Sequence, residues 1–335
     1  MTRATSSPRI DALDATLVER PFDLATDLPA MVDLITEVNA FDDIPWFPSV
    51  AQLEVNWAPA PGFDPPADVL LVEEDGRVVA AAQHEWRERD RKVVHVIEPW
   101  VRPAARRRGI GRRLVEWSEA RARAAVEAGT GGSPDLPHVL SMGTATTLTP
   151  AMAFAEALGY VPIRYGFVMR RDLGEPIADA PMPAGLELRH VTPDQHRRIW
   201  EADVEAFKDH WEAAVRHEED FVRFFANPDV DMTMWQVAWD RDEVAGSIVN
   251  TIYPEENEHV GLEIGWLDHV SVRRPWRGRG LASALISRSL QVLRDRGMAF
   301  ASLGVDAENP TGALGLYERH GFTVHQTFVT LRKPL

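Results

Sequence analysis

The chain has 335 residues, of which 45% are hydrophobic, and carries a formal net charge of −15. This length exceeds the roughly 100 to 200 residues of a typical domain, so we expect two domains. The negative charge argues against binding to nucleic acid or to an anionic membrane surface, since both depend on Lys and Arg neutralising phosphates. The sequence has no cysteine, which excludes disulfides, thiolate metal ligands and cysteine nucleophiles.

Hydropathy gives no sign of a membrane partner. No stretch approaches the roughly 18 consecutive apolar residues of a membrane span, and the segment from Met1 to Arg9 lacks the long apolar core of a leader. We therefore expect a cytoplasmic protein with no nucleic-acid, membrane or metal partner. The sequence leaves the oligomeric state open.

The first half of the chain predicts a strand, a turn and a helix in succession. Alternating apolar residues predict strands over 69–73, 78–83 and 93–101. A basic, glycine-containing turn follows the third strand after Val101 and opens a helix-like run. Its residues are Arg106, Arg107, Arg108, Gly109, Ile110 and Gly111.

A linker is predicted between the halves. Residues 174–185 contain three prolines and two glycines and have no amphipathic period. Division there gives an N-terminal domain over 1–175, a linker over 176–185 and a C-terminal domain over 186–335.

The second half repeats the order of elements in the first. Strands are predicted over 186–188, 235–238, 244–249, 266–272 and 300–305, with a short helix over 313–320. A second glycine-rich turn lies 171 residues after the first and again opens a helix. Its residues are Arg277, Gly278, Arg279, Gly280, Leu281 and Ala282. The repetition indicates a duplicated domain.

A glycine-rich turn at a helix start presents backbone N–H groups that can hold the phosphates of a nucleotide-like ligand. A P-loop would need Gly-Lys-Ser/Thr, but Leu281 follows Gly280. A dinucleotide fingerprint would need a third glycine, and Ser283 stands there instead. For either turn alone, the alternative is a solvated, charged helix start.

Three motifs in order resemble the GCN5-related N-acetyltransferase (GNAT) superfamily. The family turn is Arg/Gln-x-x-Gly-x-Gly/Ala, and both turns of this chain satisfy it. Asn309 follows the next predicted strand, and residues 316–322 read Leu-Tyr-Glu-Arg-His-Gly-Phe. The tandem layout is also distantly similar to mycothiol synthase, although Gly265-Trp266 stands where that relative has Gly-Glu.

This resemblance implies an α/β fold of two tandem GNAT domains, each a splayed, mostly antiparallel mixed sheet flanked by helices. It also implies acetyl-CoA as co-substrate, bound where two strands separate. Backbone groups of one strand would receive pantetheine and the thioester, the turn would hold the pyrophosphate, and Asn309 would meet the pantetheine arm. The implied cofactor residues are Val270, Ser271, Val272, Arg277, Gly278, Arg279, Gly280, Leu281, Ala282 and Asn309.

Acetyl transfer to an amine needs a proton donor for the leaving thiolate and a base for the amine. The resemblance gives the donor role to Tyr317, which could instead be an aromatic core residue. Candidate bases are Asp268, His269 and Glu263. Each has a structural alternative: a strand-end cap, a hydrogen-bonded sheet residue and a solvated surface carboxylate, respectively.

The first half departs from the motifs where chemistry would occur. Alignment on Gly159 places Ala155 at the position of Tyr317 and Thr147 at that of Asn309, and the 171-residue spacing of the two turns places Ile97 at that of Asp268. We therefore predict a catalytically degenerate N-terminal domain and an active C-terminal domain. The first turn remains a possible second cofactor site, formed by Val101, Arg106, Arg107, Arg108, Gly109, Ile110 and Gly111.

The sequence thus predicts an acetyl-CoA-dependent N-acetyltransferase that acts on the primary amine of a small molecule. The alternatives are mycothiol synthase-type acetylation of a cysteinyl amine and a non-catalytic acyl-CoA-binding protein. The identity of the acceptor is not encoded in a transferable motif, because GNAT specificity resides in variable loops.

Overall fold

The computed structural model describes residues 16–309 and 311–335; the segment from Met1 to Arg9 and Pro310 lie outside the described residues. Contacts divide the chain into two compact units. The first comprises the chain up to Thr144, Leu148–Ile163 and Thr330–Leu335. The second comprises Ala145–Thr147 and Arg164–Val329.

The first unit contains five strands in chain order, with helices before and between them. Its elements are β1 (Leu17–Pro21), α1 (Leu28–Asp42), α2 (Val50–Asn56), α3 (Pro65–Asp68), β2 (Val69–Glu74), β3 (Arg77–Arg89), β4 (Lys92–Val101), α4 (Ile110–Glu127), β5 (His138–Ala145) and α5 (Thr149–Ala157). Strands β1 to β4 pair antiparallel, and β5 pairs parallel with β4. The terminal residues Thr330–Leu335 lie beside β5.

Apolar side chains cover both faces of this sheet. On one face, α1 packs on the sheet through buried residues such as Met31, Leu34 and Ile35. On the other, Leu114 and Trp117 of α4 pack against Ala80 and Ala82 of β3. The predicted amphipathic helix after the first turn is therefore α4, held by its apolar stripe.

The second unit repeats this arrangement. Its elements are β6 (Val161–Asp172), β7 (Glu187–Arg189), α6 (His196–Phe207), α7 (Glu218–Ala226), β8 (Gln236–Asp240), β9 (Glu243–Ile252), α8 (Pro254–Val260), β10 (Ile264–Val272), α9 (Leu281–Asp295), β11 (Phe300–Asp306), α10 (Ala313–Arg319) and β12 (Thr323–Pro334). Strands β7 to β10 pair antiparallel, and β11 pairs parallel with β10.

The strand beside β11 comes from the part of the sequence before the linker. β6 pairs antiparallel with β11 from Phe300↔Asp172 to Asp306↔Gly166. The compact units therefore differ from the sequence division at 176–185, because Arg164–Asp172 belongs to the second unit and Thr330–Leu335 to the first. A segment here belongs to the unit with whose strands it forms backbone hydrogen bonds, even where its neighbours in the sequence belong to the other unit.

The linker region is irregular but lies against α9. The Ser287 hydroxyl donates to the carbonyl of Ala178 at 2.8 Å, and Arg288 donates to that of Ala180 at 3.2 Å. Leu285, Ile286, Leu290 and Leu293 of α9 lie in the main core of the second unit, against which Ile177 and Met182 also pack. The sheet and α9 thus position the glycine-rich turn at the start of this helix.

Within residues 16–309 and 311–335, no helix is long and apolar enough to cross a membrane.

One glycine of β9 allows the close approach of β9 to β10. A Cβ on Gly246 would lie 2.6 Å from the backbone oxygen of Ser271 and 3.2 Å from Cα of Val272. Gly246 pairs with Val272, the last residue of β10 before the turn region. The position of this strand end therefore requires a residue without a side chain at Gly246.

We predict that Gly246→Ala lowers the free energy of unfolding by about 1 to 3 kcal/mol, because backbone atoms must move to admit the methyl group. The matched control is Gly304→Ala on β11, where a Cβ would meet nothing within 4 Å. The control should stay within about 0.5 kcal/mol of the parent chain. Urea unfolding of the three proteins measures the difference, and equal losses in both variants would contradict the packing argument.

Candidate functional site

A cleft opens in the second unit where β10 separates from β11. The two strands pair only from Ile264↔Phe300 to Trp266↔Ser302. Beyond Trp266, the edge of β10 that faced β11 has no partner from that strand. The gap leads into a cleft of ≈430 Å³ bounded by the end of β10, the start of α9 and the start of α10.

Most of the predicted cofactor residues line this cleft. They are Val270, Ser271, Val272, Arg277, Gly278, Gly280, Leu281, Ala282 and Asn309, and Tyr317 lines it as well. Arg279, Asp268, His269 and Glu263 are not among the lining residues. The α6 region adds a wall that sequence motifs did not assign, formed by Ala206, Phe207 and His210.

The turn presents unpaired backbone amides at the start of a long helix. Gly278 and Gly280 adopt left-handed φ angles of +72° and +85°, which glycine tolerates without steric cost. The first amide of this region with a backbone acceptor is Ala284, which donates to Gly280 at 3.1 Å. In the described chain, the amides from Gly278 to Ser283 have no backbone acceptor. Such a run of N–H groups at a helix N-terminus binds anions.

The turn's first arginine has a structural role. Arg277 donates to the carbonyls of Val272 at 2.8 Å and Ala206 at 3.1 Å, and it pairs with Asp209 at 2.5 Å. Hydrogen bonds from Arg274 and then Arg277 hold the pKa of Asp209 well below its usual range. The Arg277 guanidinium therefore ties the turn to the preceding strand and to α6.

Asn309 and Tyr317 lie across the cleft from the turn. The Asn309 side-chain oxygen accepts from the backbone N–H of Thr311 at 2.8 Å and from its hydroxyl at 2.5 Å. This leaves the amide N–H₂ of Asn309 available to donate into the cleft. Tyr317 is 6% exposed, and desolvation raises its pKa to about 12, so the phenol is protonated at neutral pH.

The structure joins His269 to a partner that the sequence did not indicate. His269 Nδ1 lies 3.0 Å from a carboxylate oxygen of Asp203, a buried residue of α6. Burial disfavours the protonated imidazole, but the charge and hydrogen bond of Asp203 outweigh burial and raise the pKa of His269. The His269 ring contacts Phe207, a cleft residue, at 5.4 Å between centroids.

Asp268 lies at a β-bulge in β10. The register against β9 shifts between Leu267 and His269, which makes Asp268 the extra residue. Its carboxylate accepts from the Tyr253 hydroxyl at 2.8 Å, and desolvation raises its pKa. Nearby, the buried Glu256 accepts from the indole N–H of Trp266 at 2.8 Å, and desolvation raises its pKa to about 7.

Glu263 is separated from these groups. It is exposed immediately before the first residue of β10, whereas the turn follows the last residue of that strand. Its carbonyl accepts from the amides of Ala299 and Phe300 at 2.8 and 3.0 Å. The structure therefore brings Asp268 and His269 to the bulge and leaves Glu263 at the opposite end of the strand.

The first unit has a turn with the same backbone path. Arg107 and Gly109 adopt φ angles of +64° and +85°, close to those of Gly278 and Gly280. Arg106 donates to the Val101 carbonyl at 3.0 Å and pairs with both oxygens of Asp42 at 2.8 and 2.7 Å. Arg108 pairs with Glu74 at 2.7 Å. Two arginines of the predicted second cofactor site are thus bound to carboxylates of the chain.

The remaining residues of the first turn pack closely. Ile110 is buried at the start of α4. A Cβ on Gly111 would lie 3.7 Å from the tip of the Phe154 ring and 3.9 Å from Val101. Phe154 of α5 thus reaches the start of α4 next to the end of β4.

The first unit also lacks the bulge. β3 and β4 pair without a register shift from Ala80↔Val101 to Arg89↔Lys92. Ile97, which aligns with Asp268 in sequence, is 1% exposed. Its neighbour Glu98 is exposed. By register, Glu98 corresponds to His269, because each lies three residues before the end of its strand, and Asp268 has no counterpart in β4.

Several residues near the cleft carried no sequence signal that assigns them to it. Asp203 and His210 belong to the stretch before and after Phe207, and Tyr253 and Glu256 follow β9. Only their positions in or next to α6 and α8 group them, and that grouping requires the fold. Among the described residues, no group of three or more His, Asp or Glu side chains is arranged to hold a metal ion.

The sequence matches a known family model in both halves. The model of the acetyltransferase (GNAT) family matches residues 31–160 and 196–322. A mycothiol acetyltransferase of Geodermatophilus obscurus is 29% identical over 309 residues, covering 91% of this chain and 93% of that protein. A mycothiol acetyltransferase of Salinispora tropica is 33% identical over 229 residues, covering 68% of this chain and 69% of that protein.

Solved structures are similar over nearly the whole chain. A GCN5-related N-acetyltransferase from Sphaerobacter thermophilus has a TM-score of 0.71 and 28% identity, covering 96% of this chain and 97% of that one. A tandem GNAT protein from the clavulanic acid biosynthesis pathway shares the fold, with a TM-score of 0.66, 21% identity and coverage of 95% and 98%. The chain therefore belongs to the GNAT acetyltransferase family and is an acetyl-CoA-dependent N-acetyltransferase with two GNAT domains.

Proposed function

We propose that the second unit catalyses transfer of an acetyl group from acetyl-CoA to the primary amine of a small molecule, and that the first unit is catalytically degenerate. The observation that carries this proposal is that one cleft contains both the turn amides without a backbone acceptor and the buried phenol of Tyr317. One group suits a phosphate and the other a leaving thiolate, as acetyl-CoA requires.

The donor groups of the cleft fit the successive parts of acetyl-CoA. Amides from Gly278 to Ser283 would hold the pyrophosphate. The open edge of β10, from Val270 to Val272, would pair with the amides of the pantetheine arm, as a strand would. The free N–H₂ of Asn309 would donate to a pantetheine carbonyl.

Tyr317 is suited to the role of general acid. Its raised pKa keeps the phenol protonated at neutral pH, so a proton is available when the C–S bond breaks. Its burial excludes water from the place where negative charge develops on sulfur. Tyr317 is also part of the main core and contacts Phe322 at 6.1 Å between ring centroids, as the aromatic-core alternative requires. The donor role adds a protonated phenol in the cleft wall.

His269 is our proposed general base, oriented by Asp203. A base accepts the amine proton only when its imidazole is neutral, with Nδ1–H donated to Asp203 and Nε2 left to accept. Because Asp203 raises the pKa of His269, the neutral imidazole of His269 binds the amine proton more strongly. Asp268 is the alternative base, since its carboxylate lies in the bulge and is held by Tyr253.

Three features support a degenerate first unit. Ala155, at the position of Tyr317, has no acidic proton and is buried. β4 lacks the bulge that distinguishes β10. The Phe154 ring reaches Gly111, so space near the first turn is taken by a side chain. The conserved path of this turn stabilises the start of α4 without serving a ligand.

The second candidate function is acetylation of a cysteinyl amine of the mycothiol type. Relatives named mycothiol acetyltransferases cover nearly the full chain in one case, which favours this candidate. Trp266 stands where the sequence comparison leads us to expect a glutamate, and the buried Glu256 bonds to that indole. The carboxylate of Glu256 thus lies next to Trp266, but it comes from α8 and not from β10.

We predict that Tyr317→Phe lowers kcat by about 10²- to 10⁴-fold, the usual contribution of a positioned acid. The dissociation constant for acetyl-CoA should change little, because the ring still fills the wall. Tyr160→Phe in the first unit is the matched control and should leave kcat unchanged. Thiol release and calorimetry measure the two quantities, and full activity in Tyr317→Phe would refute the assigned role.

We predict that Asp203→Asn lowers the pKa of His269, because desolvation then acts without the opposing carboxylate. The alkaline plateau of kcat/KM should therefore begin at lower pH. The matched control is Glu201→Gln, which removes an exposed carboxylate from the same helix. NMR titration of the histidine resonances measures the pKa of His269 in the parent chain and in the variant. An unchanged pKa would show that Asp203 does not set the proton affinity of His269.

The acceptor class is tested by thiol release with a panel of amines. The panel holds cysteinyl amines, amino sugars and polyamines, each with its N-acetylated form as the matched control. Turnover with small primary amines and none with the blocked forms supports the proposal. Turnover confined to cysteinyl amines selects the second candidate, and acetyl-CoA binding without turnover on any amine contradicts the choice of acceptor class.

A further inference from the structure

Arg164 connects the two walls of the cleft, although it precedes the linker in the sequence. It lies on β6, two residues before Gly166, which is the last residue of that strand to pair with β11. Its side chain is 16% exposed within the second unit. Neither the glycine-rich turn nor the Asn309 motif includes this residue.

One set of contacts fixes the loop that carries Asn309. Arg164 binds Asp306 through two hydrogen bonds, Nε to Oδ1 at 2.8 Å and a terminal nitrogen to Oδ2 at 2.7 Å. It also contacts Glu308 through the carboxylate at 2.5 Å and the backbone carbonyl at 3.2 Å. Such planar, two-point pairing orients its partners as well as attracting them.

The loop transmits this orientation to Asn309. The carboxylate of Asp306 accepts from the amide of Glu308 at 3.0 Å, and its carbonyl accepts from the amide of Asn309 at 3.1 Å. Asp306 is therefore the centre of a turn whose outer side is held by Arg164 and whose inner side presents Asn309. Free rotation of this turn would remove the Asn309 amide from the cleft.

A second contact fixes the opposite wall. The Arg164 guanidinium lies over the Trp211 ring, 5.3 Å from its centre. Trp211 directly follows His210, which lines the cleft, and Asp209 before them is tied to Arg277. The segment from Asp209 to Trp211 is thus held at one end by the turn and at the other by Arg164.

We propose that Arg164 is a positioning residue that sets Asn309 and His210 on the two sides of the pantetheine end of the cleft. The inference rests on the proposed function, because it concerns how the second unit holds acetyl-CoA. It adds that a residue from the N-terminal part of the sequence organises the site of the C-terminal domain. The turn is tied to this segment through Arg277 and Asp209 and not through Arg164 itself, so the pyrophosphate end does not depend on Arg164.

Two ligands separate the two ends of the cleft. Adenosine 3′,5′-bisphosphate resembles only the adenylate end of acetyl-CoA, whereas acetyl-CoA also needs the pantetheine contacts. Calorimetry on the full chain measures the dissociation constant of each. We expect Arg164→Ala to weaken acetyl-CoA binding about tenfold or more, the effect of losing charge-assisted hydrogen bonds that orient a ligand group. The affinity for the bisphosphate should stay within about twofold.

Three further variants make the test specific. Arg164→Lys keeps the charge but not the two-point geometry, so it should give an intermediate loss. Asp306→Asn weakens the same link from the other side and covers the case in which Arg164→Ala fails to fold. Arg296→Ala is the matched control: it removes an arginine paired with Asp231 at 2.7 Å in the same unit and should change neither affinity.

The outcomes are distinguishable. Selective loss of acetyl-CoA affinity in Arg164→Ala and Asp306→Asn supports the positioning role. Equal loss for both ligands would indicate general destabilisation and overturn it, and so would unchanged acetyl-CoA affinity. Failure of the proposed function looks different, because the parent chain itself would then bind neither ligand.

Discussion

The separation of β10 from β11 is the constraint on which the site depends. Parallel pairing stops at Trp266↔Ser302, and the edge of β10 that continues to Val272 is left without that partner. An open strand edge is normally a liability, because its amides and carbonyls attract other chains. Here the opening is bounded by the turn, α9 and α10, so the unpaired groups face a cleft. The turn amides at the start of α9 lie in the same cleft.

The two halves share a backbone but differ in what they leave unpaired. Both turns place residues in the left-handed region, and both use an arginine to join the turn to the last carbonyl of the preceding strand. The bulge at Asp268 has no counterpart at Ile97. Duplication thus preserved the parts that stabilise the strand–turn–helix unit. Groups that suit acetyl transfer are collected in the second unit.

Local signals predicted the elements around the cleft well. The strand before the second turn, the helix after it and the short helix carrying Tyr317 follow from apolar periodicity and glycine placement, which depend on neighbours in the sequence. The predicted strand over 266–272 is the later part of β10, and the helix over 313–320 contains α10. Resemblance to the GNAT family added the order of motifs that no periodicity contains.

Long-range contacts could not be predicted in this way. The placement of β6 beside β11 pairs residues about 130 apart, and nothing in the sequence of β6 specifies that partner. The family turn places Arg277 among the implied cofactor residues, whereas the carboxylate that binds its guanidinium, Asp209, lies 68 residues earlier in the sequence. The Asp203–His269 pair was missed for the same reason. A gap-free alignment also could not register the bulge: Asp268 is its extra residue and has no counterpart in β4, so Ile97 corresponds to Leu267.

Hydrogen–deuterium exchange of the full chain, with and without acetyl-CoA, tests the central claim most directly. The account predicts that acetyl-CoA protects the amides of 278–283 and the segment around Asn309, while the amides of 107–112 exchange as before. Equal protection of both turns would contradict the functional difference between the units. Absence of protection at 278–283 would contradict the assignment of the cleft itself.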